Sequence, residues 1–242
     1  MLPPREIAAV EYVVASEDER CPYLPDRVAR MPLRLPLQPV TGEAFDARLE
    51  EGDRRAGPFL YRTACPRCTA CEPLRIPVRD FRPTRSQRKV LARSERDLRV
   101  EVGPPRQSPL HLELFNRHKI ERGLATTASS AADYKLQFLD SCTDTREVRY
   151  LVGDRLIAVS LLDVGARAAS SVYHYFDPDE SRRSPGVLSV LTEIALCDAW
   201  GLDWYYLGLY VAGCRSLRYK ADYFPHERHI GGAWRRFDAP GP

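Results

Sequence analysis

The sequence lacks long hydrophobic runs, and no stretch approaches the roughly 18 apolar residues that a membrane-spanning helix requires. Its opening residues, MLPPREIAAVEY, also lack the basic start and the long apolar centre of a secretory signal peptide. Hydrophobic residues make up 44% and charged residues 29% of the 242 positions, which is typical of a globular protein. We therefore expect a soluble cytoplasmic protein of one large domain or two smaller ones.

The sequence also lacks a strong excess of one charge, because a net charge of +3 is too small to indicate a polyanionic partner. The basic residues are nevertheless concentrated between Phe81 and Arg99, where the only acidic residues are Glu95 and Asp97. After Pro83 the spacing predicts a helix with one basic face. That face consists of Arg82, Arg85, Arg88, Lys89, Arg93 and Arg96. An ordinary solvated face usually mixes charges of both signs, so this one favours a phosphate backbone as its partner.

Seven cysteines, an odd number, argue against a disulfide framework. Cys65, Cys68 and Cys71 form a C-x-x-C-x-x-C turn that can direct three thiolates towards one point. A tetrahedral metal needs one more ligand, for which Cys21 in CPYLP is the nearest choice. Zinc and an iron–sulfur cluster both suit four thiolates, and buried free cysteines are the structural alternative. The other cysteines lack ligand spacing and are expected to be structural: Cys142, Cys197 and Cys214.

The pattern of hydrophobic and turn residues predicts an α+β protein. A short helix at 41–51 and strands at 59–63 and 74–78 precede the basic helix and a linker at 103–108. Helices at 110–122 and 131–141 then lead to strands at 148–152, 155–163 and 168–176, a helix at 185–200 and a strand at 204–210. This order is that of N-acetyltransferase-like domains. We predict a cysteine-containing N-terminal α+β domain (1–80), the basic helix and linker (81–108), and an acyltransferase-like domain with a mixed central sheet (109–242).

Glycine is scarce where coenzyme A would require it. N-acetyltransferases hold the pyrophosphate of coenzyme A in a Gly-rich turn before the central helix. The corresponding turn, DESRRSPGVL, has one glycine and two arginines. A donor whose phosphates lie elsewhere, against the basic helix, fits this sequence better than coenzyme A.

Several long motifs resemble those of one family. In the first half they are CPYLP, RRAG within EEGDRRAGPFLYR, and CPRCTACEPLRIPVRDFRPTRSQRK. In the second half they are YHYFDPDESRRSPG, WYYLGLYV, YKADYFPHE and GGAW. Together they resemble the aminoacyl-tRNA–protein transferases, in particular the bacterial aspartate/glutamate leucyltransferases, over roughly residues 11 to 236.

This resemblance implies the transfer of an amino acid, leucine in the bacterial branch, from charged tRNA to the α-amine of proteins that begin with Asp or Glu. The products would be substrates for N-end-rule degradation. The expected partners are therefore leucyl-tRNA and acidic acceptor proteins, with no DNA and no membrane. No organic cofactor is expected, and Cys21, Cys65, Cys68 and Cys71 would hold zinc or a cluster.

The resemblance also suggests how the donor and the acceptor are bound. Arg75, beside the cysteine turn, would bind the side-chain carboxylate of the acceptor, with Lys220 as the second choice. Arg182 and Arg183, just before the central helix, would receive phosphates from the 3′ end of the tRNA. The body of the tRNA would lie on the basic face through Arg82, Arg85, Arg88, Lys89 and Arg93.

The chemistry is aminolysis of an activated ester, so the attacking amine must lose a proton. Tyr173, Tyr175 and Asp177 lie at the end of the strand predicted at 168–176 and could accept that proton; the alternative for the tyrosines is core packing. Three other functions stay open at this point. They are arginyl-tRNA specificity, coenzyme A-dependent N-acetyl transfer with a zinc module, and non-enzymatic RNA binding.

Overall fold

The computed structural model describes residues 10–239. The strands are β1 (Glu11–Ala15), β2 (Asp18–Arg20), β3 (Val28–Arg30), β4 (Leu33–Pro36), β5 (Arg54–Ala56), β6 (Phe59–Tyr61), β7 (Glu72–Pro77), β8 (Leu98–Gly103), β9 (Asp144–Val152), β10 (Arg155–Val164), β11 (Ala168–Phe176), β12 (Trp204–Tyr210), β13 (His226–Ile230) and β14 (Ala233–Phe237). The helices are α1 (Gly42–Glu50), α2 (Arg85–Ser94), α3 (Pro109–Glu121), α4 (Ala131–Tyr134), α5 (Pro185–Ala199) and α6 (Arg215–Arg218). Within this part of the chain, no helix is long and apolar enough to cross a membrane.

Eight strands form the main sheet, in the order β14-β13-β7-β12-β11-β10-β9-β8. Neighbouring strands are antiparallel except β11 and β12, which are parallel. The predicted α+β class with a mixed central sheet is therefore confirmed, as is the order of two helices, three strands, a helix and a further strand. A smaller sheet, β1-β4-β6-β5, packs with α1 beside it.

Helices cover both faces of the main sheet, which explains why β10 is buried along nearly its whole length. On one face, Leu191 and Ile194 of α5 pack against Leu74, Leu207 and their neighbours. On the other face, α3, α4 and the turn after α4 pack against β11 in an aromatic cluster, which consists of Phe115, Tyr134, Phe138, Tyr173 and Tyr175. The predicted helix at 131–141 is correct in position, but after α4 it continues as a π-helical turn, Lys135–Leu139.

Two strands that precede α3 in the sequence belong to the main sheet. β7, which follows the cysteine turn, lies between β12 and β13. β8 pairs with β9 at the opposite edge, inside the segment for which the sequence predicted only a basic helix and a linker. Its burial pattern is mostly exposed, as expected of an edge strand, so its hydrophobic signal is weak.

A buried ion pair joins the small sheet to the main sheet. Arg55 Nε donates to Asp163 at 2.6 Å, and Arg55 Nη1 donates to the Gly57 carbonyl at 2.8 Å. The Thr145 hydroxyl donates to the other oxygen of Asp163 at 2.7 Å. Because both charged side chains are almost fully buried, each depends on the other for its solvation.

We expect Arg55→Ala to lower the free energy of unfolding by about 3–5 kcal/mol, because it leaves the Asp163 carboxylate buried without its cation. Urea denaturation would measure this loss. The double variant Arg55→Met with Asp163→Leu should recover much of it, since neither charge is then buried. A loss below about 1 kcal/mol for the single variant would show that water reaches Asp163.

Candidate functional site

The main sheet splits between its two parallel strands. Residues 168–170 of β11 pair with residues 204–206 of β12, and beyond them the two strands diverge. A cavity of about 820 Å³ fills the gap and extends to the loop around α6. Its wall includes residues 171–174 of β11, the start of α5, and Tyr23 from the CPYLP motif. Both halves of the chain therefore contribute to this cavity.

The first residues of α5 line one end of the cavity. Ser184 precedes the helix with a φ of 57°, and Pro185 occupies its first turn. The backbone N–H groups at the start of a helix carry partial positive charge and attract anions. This end of the cavity therefore favours a negatively charged group or a developing oxyanion.

Two cations that line the cavity, Arg54 and Lys220, converge at Gly208. A Cβ atom at Gly208 would lie 2.8 Å from Lys220 Nζ and 2.9 Å from Arg54 Nη1, and the φ of this residue is +104°. Arg54 Nη2 donates to the Ser171 carbonyl at 2.7 Å, whereas Nη1 is buried without a hydrogen-bond partner. In residues 10–239, neither cation forms an ion pair with a carboxylate.

The electrostatics of this pair favour an anionic ligand. Burial, followed by the charge of Arg54, lowers the pKa of Lys220 to about 7. A carboxylate bound between the two groups would supply the missing counter-charge and an acceptor for Arg54 Nη1. Arg54 was not among the residues predicted for the site, and the signal that could have indicated it is the RRAG motif.

Arg75 lies outside the cavity, in an enclosed position of its own. It is buried, pairs with Glu50, and donates through Nε to Glu227 at 2.8 Å. Its guanidinium carbon lies 3.8 Å from the ring centre of Trp204 and 4.1 Å from that of Trp234. Arg75 already has two carboxylate partners, whereas Lys220, the second choice from the sequence, lines the cavity.

The three predicted proton acceptors occupy different environments. Tyr173 lines the cavity, but Tyr175 is fully buried and its hydroxyl lies 2.6 Å from that of Tyr134. Burial raises the pKa of Tyr175 well above its usual value. Asp177 accepts hydrogen bonds from Arg117 and Arg155, each at 2.8 Å. The structure therefore brings only Tyr173 of this set to the cavity.

The predicted basic helix is present as α2. Thr84 and Gln87 form a capping box at its start, and Val90 and Leu91 pack against the core near α5. Four side chains of the predicted basic face lie on α2 and are exposed: Arg85, Arg88, Lys89 and Arg93. Arg82 and Arg96, also exposed, lie just before and just after the helix. Among the described residues, none of them forms an ion pair with a carboxylate.

The basic face continues towards the turn that precedes α5. Arg93 donates a hydrogen bond to the Arg182 carbonyl, and the Arg182 side chain is exposed. Arg183 instead forms a fork with Asp97, at 2.8 and 2.7 Å, and also pairs with Glu180. Arg182 is therefore available to an external phosphate, whereas Arg183 is engaged inside the protein.

The four predicted metal ligands are close to one another but do not form a ligand sphere. The Leu24 N–H points to Cys21 Sγ and the Arg30 N–H to Cys65 Sγ, each at 3.4 Å. Burial, reinforced by neighbouring thiols that include Cys65, Cys21 and Cys68, raises the pKa of Cys71 to about 12. Across residues 10–239, no group of three or more Cys, His, Asp or Glu side chains is arranged to hold a metal ion. The donors fit zinc or a cluster in their chemistry, but not in their present spacing.

Relatives with curated names were found over nearly the full chain. The aspartate/glutamate leucyltransferase of Acinetobacter baumannii is 35% identical over 230 residues, which is 94% of this chain and 84% of the relative. Proteins of the same name from Chromobacterium violaceum and Pseudomonas aeruginosa are both 32% identical, over 95% and 97% of their own lengths.

Solved structures show looser similarity of shape. The L-PGS structure from Bacillus licheniformis has a TM-score of 0.45 and 12% identity, covering 70% of this chain and 50% of that one. FemX has a TM-score of 0.45 and 10% identity, covering 83% and 79%.

Family models match both halves of the sequence. The model described as arginine-tRNA-protein transferase, C terminus, matches residues 110–230, and the one for the N terminus matches residues 19–89. The resemblance predicted from the sequence motifs is thus confirmed by matches that cover both the cysteine turn and the split sheet. The chain belongs to the arginine-tRNA-protein transferase family.

Proposed function

We propose that this protein transfers leucine from leucyl-tRNA to the N-terminal α-amine of proteins that begin with Asp or Glu. The observation that carries this proposal is the pair of cations, Arg54 and Lys220, that line the cavity of the split sheet and have no carboxylate partner within residues 10–239. A buried anion site beside the start of a helix suits an acidic acceptor next to a reacting ester. The names of the relatives indicate the same donor and acceptors.

The reaction requires two bond changes, and the cavity can position both. The acceptor nitrogen attacks the ester carbonyl carbon, and the bond between that carbon and the ribose oxygen of the tRNA then breaks. Arg54 and Lys220 would hold the side-chain carboxylate of the acceptor, which fixes the adjacent α-amine near β11. The N–H groups at the start of α5 would stabilise the oxyanion. No organic cofactor is needed, because the ester is already activated.

A transfer assay tests this function directly. The protein is incubated with tRNAs charged separately with leucine, arginine or phenylalanine, and with peptides that differ only at their first residue. We expect labelled leucine on peptides that start with Asp or Glu, and little on peptides that start with Asn or Gln. Transfer of arginine in preference to leucine would correct the donor. RNA binding without any transfer would contradict an enzymatic function.

The exposed face of α2 would bind the backbone of the tRNA, with Arg182 nearer to its 3′ end. We expect the double variant Arg85→Glu, Lys89→Glu to raise the KM for leucyl-tRNA. The slope of log KM against log salt concentration should fall by roughly one to two, because two phosphate contacts are lost. The KM for the peptide should stay nearly unchanged. Arg146→Glu, a charge reversal at an exposed site on β9, serves as the control. An unaltered salt slope in the double variant would place the tRNA elsewhere.

Cys21, Cys65, Cys68 and Cys71 would hold zinc or an iron–sulfur cluster that stabilises the N-terminal half. Because ligands are rarely preformed in an unfolded chain, binding a structural metal contributes directly to folding. We expect elemental analysis of anaerobically purified protein to find metal, and Cys68→Ser to lose it and to unfold at a lower temperature. Cys197→Ser, at a buried cysteine outside this group, should keep the metal. Wild-type protein without metal would contradict the assignment.

We also expect the protein to act in the cytoplasm, where charged tRNA and newly exposed N-termini are present.

A further inference from the structure

A buried glutamate lies on α5, about one turn beyond Ser189 and Val190, which line the cavity. Glu193, on α5, is 1% exposed, and one of its carboxyl oxygens accepts a hydrogen bond from the Tyr205 hydroxyl at 2.6 Å. The other oxygen, Oε1, is closed off from solvent and has no hydrogen-bond partner. A buried carboxyl oxygen that lacks a hydrogen bond carries a desolvation cost, and protonation of the carboxyl group relieves part of that cost.

Two serine hydroxyls lie near the same carboxyl group, and their environments differ. Ser160 is fully buried outside the cavity lining, and its Oγ lies 3.0 Å from Nδ1 of His174. Ser171 is only half-buried and lines the cavity. The carbonyl of Ser171 accepts the hydrogen bond from Arg54. Ser171 therefore adjoins both the anion site and Glu193.

We propose that the Ser171 hydroxyl takes the proton from the attacking α-amine and passes its own proton to Oε1 of Glu193. Ser171 is then a catalytic residue, because it contacts the attacking amine. Glu193 is a positioning residue, which holds the proton that Ser171 releases. This inference rests on the proposed transfer reaction.

The proton balance closes within one turnover. As the nitrogen bonds to the ester carbonyl carbon, one N–H proton moves to Ser171 Oγ, and the former Ser171 proton moves to Glu193. When the carbon–oxygen bond to the ribose breaks, the proton returns through Ser171 to the leaving 3′ oxygen. Glu193 and Ser171 end in their starting states, and no further reactant is required.

The surroundings of Glu193 suit this role. Burial raises the pKa of Glu193 to about 7, within about one unit of an N-terminal α-amine. The titratable groups that face it are Tyr150, Cys197, Tyr205, Tyr219 and Tyr223, which are neutral near pH 7 because burial raises the pKa of each. None of these groups is a cation that would hold Glu193 ionised at low pH.

The rate of single-turnover transfer, measured at several pH values with saturating leucyl-tRNA and peptide, tests this proton path. In the wild type, we expect the rate to rise as the pH increases through about 7. Glu193→Gln should lower the rate roughly 100-fold, the usual scale for general base catalysis, with the peptide KM within about threefold. Its remaining rise with pH should follow only the α-amine of the peptide, whose pKa is about 8. Ser171→Ala should show a comparable loss, and Glu193→Asp should recover part of the rate.

Ser160→Ala is the matched control, because it removes a hydroxyl near the same carboxyl group but away from the cavity. Its rate should stay within about threefold of wild type. Equal losses in Ser160→Ala and Ser171→Ala, or an unchanged pH profile in Glu193→Gln, would overturn the path. Circular dichroism of each variant separates these results from misfolding.

A measurement without turnover separates this inference from the transfer reaction itself. In carbon-13 spectra, we expect the Glu193 carboxyl signal to titrate near neutral pH and to shift when a peptide that starts with Glu binds. Ser171→Ala should abolish the peptide-induced shift. If Glu193 titrates near pH 4 instead, the path is excluded whether or not transfer occurs. If the wild type transfers nothing yet the shift is seen, the proposed function fails but the contact between Ser171 and Glu193 stands.

Discussion

Replacing Arg54 by alanine should lower kcat/KM for peptides that start with Asp or Glu by about 30-fold to several thousand-fold. This corresponds to about 2–5 kcal/mol, the usual cost of truncating one partner of a buried, hydrogen-bonded charge pair. The physical reason is that Arg54 Nη1 has no partner in residues 10–239 and stands beside Lys220 at Gly208. Peptides that start with Asn or Gln should be poor substrates for the wild type and change little in the variant. Transfer kinetics with the four peptides would measure the difference.

Two further variants make this result specific. Arg54→Lys should recover only part of the activity, because an ammonium group cannot both hold the Ser171 carbonyl and form a fork with a carboxylate. Arg75→Ala should mainly destabilise the fold, because it leaves Glu50 and Glu227 without their shared cation. A selective loss of acidic acceptors in Arg75→Ala, with none in Arg54→Ala, would return the acceptor site to Arg75.

The comparison of Arg54 with Arg75 shows what the sequence can and cannot predict. Arg75 is attractive in the sequence because it follows the cysteine turn. Its carboxylate partners, however, are 25 and 152 residues away along the chain. Arg54 lies in a run of charged residues, and nothing in the local sequence distinguishes it from them. Only the folded chain places its guanidinium beside Gly208 of β12. Pairing between distant charges decides which cation is free, and no local pattern reports it.

The fold follows the same division between local and distant contacts. The helices α3 and α5 and the strands from β9 to β12 were predicted within a few residues, because their hydrophobic periods and turn residues are local signals. The insertion of β7 between β12 and β13 was not predicted, because the local sequence of a strand does not indicate which distant strand it pairs with. The cavity likewise opens where two strands of the main sheet separate, since β12 leaves β11 after residue 206.

Lys220→Met should abolish preference for acidic acceptors and at the same time stabilise the ligand-free protein below about pH 7. The pKa of Lys220 is about 7 in the folded state, whereas an unfolded lysine has a pKa near 10.5. Between these values the unfolded chain binds more protons, so the contribution of Lys220 to stability increases with pH in this window and is lowest below it. Relative to Lys220→Met, wild-type stability should rise by at most about 1.4 kcal/mol per pH unit from pH 7 to 10. Thermal or urea unfolding of both proteins across this range measures that slope.

Binding of an acidic acceptor should return the proton to Lys220. A carboxylate between Arg54 and Lys220 favours the charged ammonium and raises the pKa of Lys220, so peptide binding at pH 8 should take up close to one proton. Calorimetry in two buffers with different ionisation enthalpies measures this uptake. Lys220→Met should lose it, and so should the wild type with a peptide that starts with Gln. Proton uptake that persists in Lys220→Met would assign the titration to another group, whereas equal pH dependence of stability in both proteins would mean that Lys220 is charged in the empty cavity.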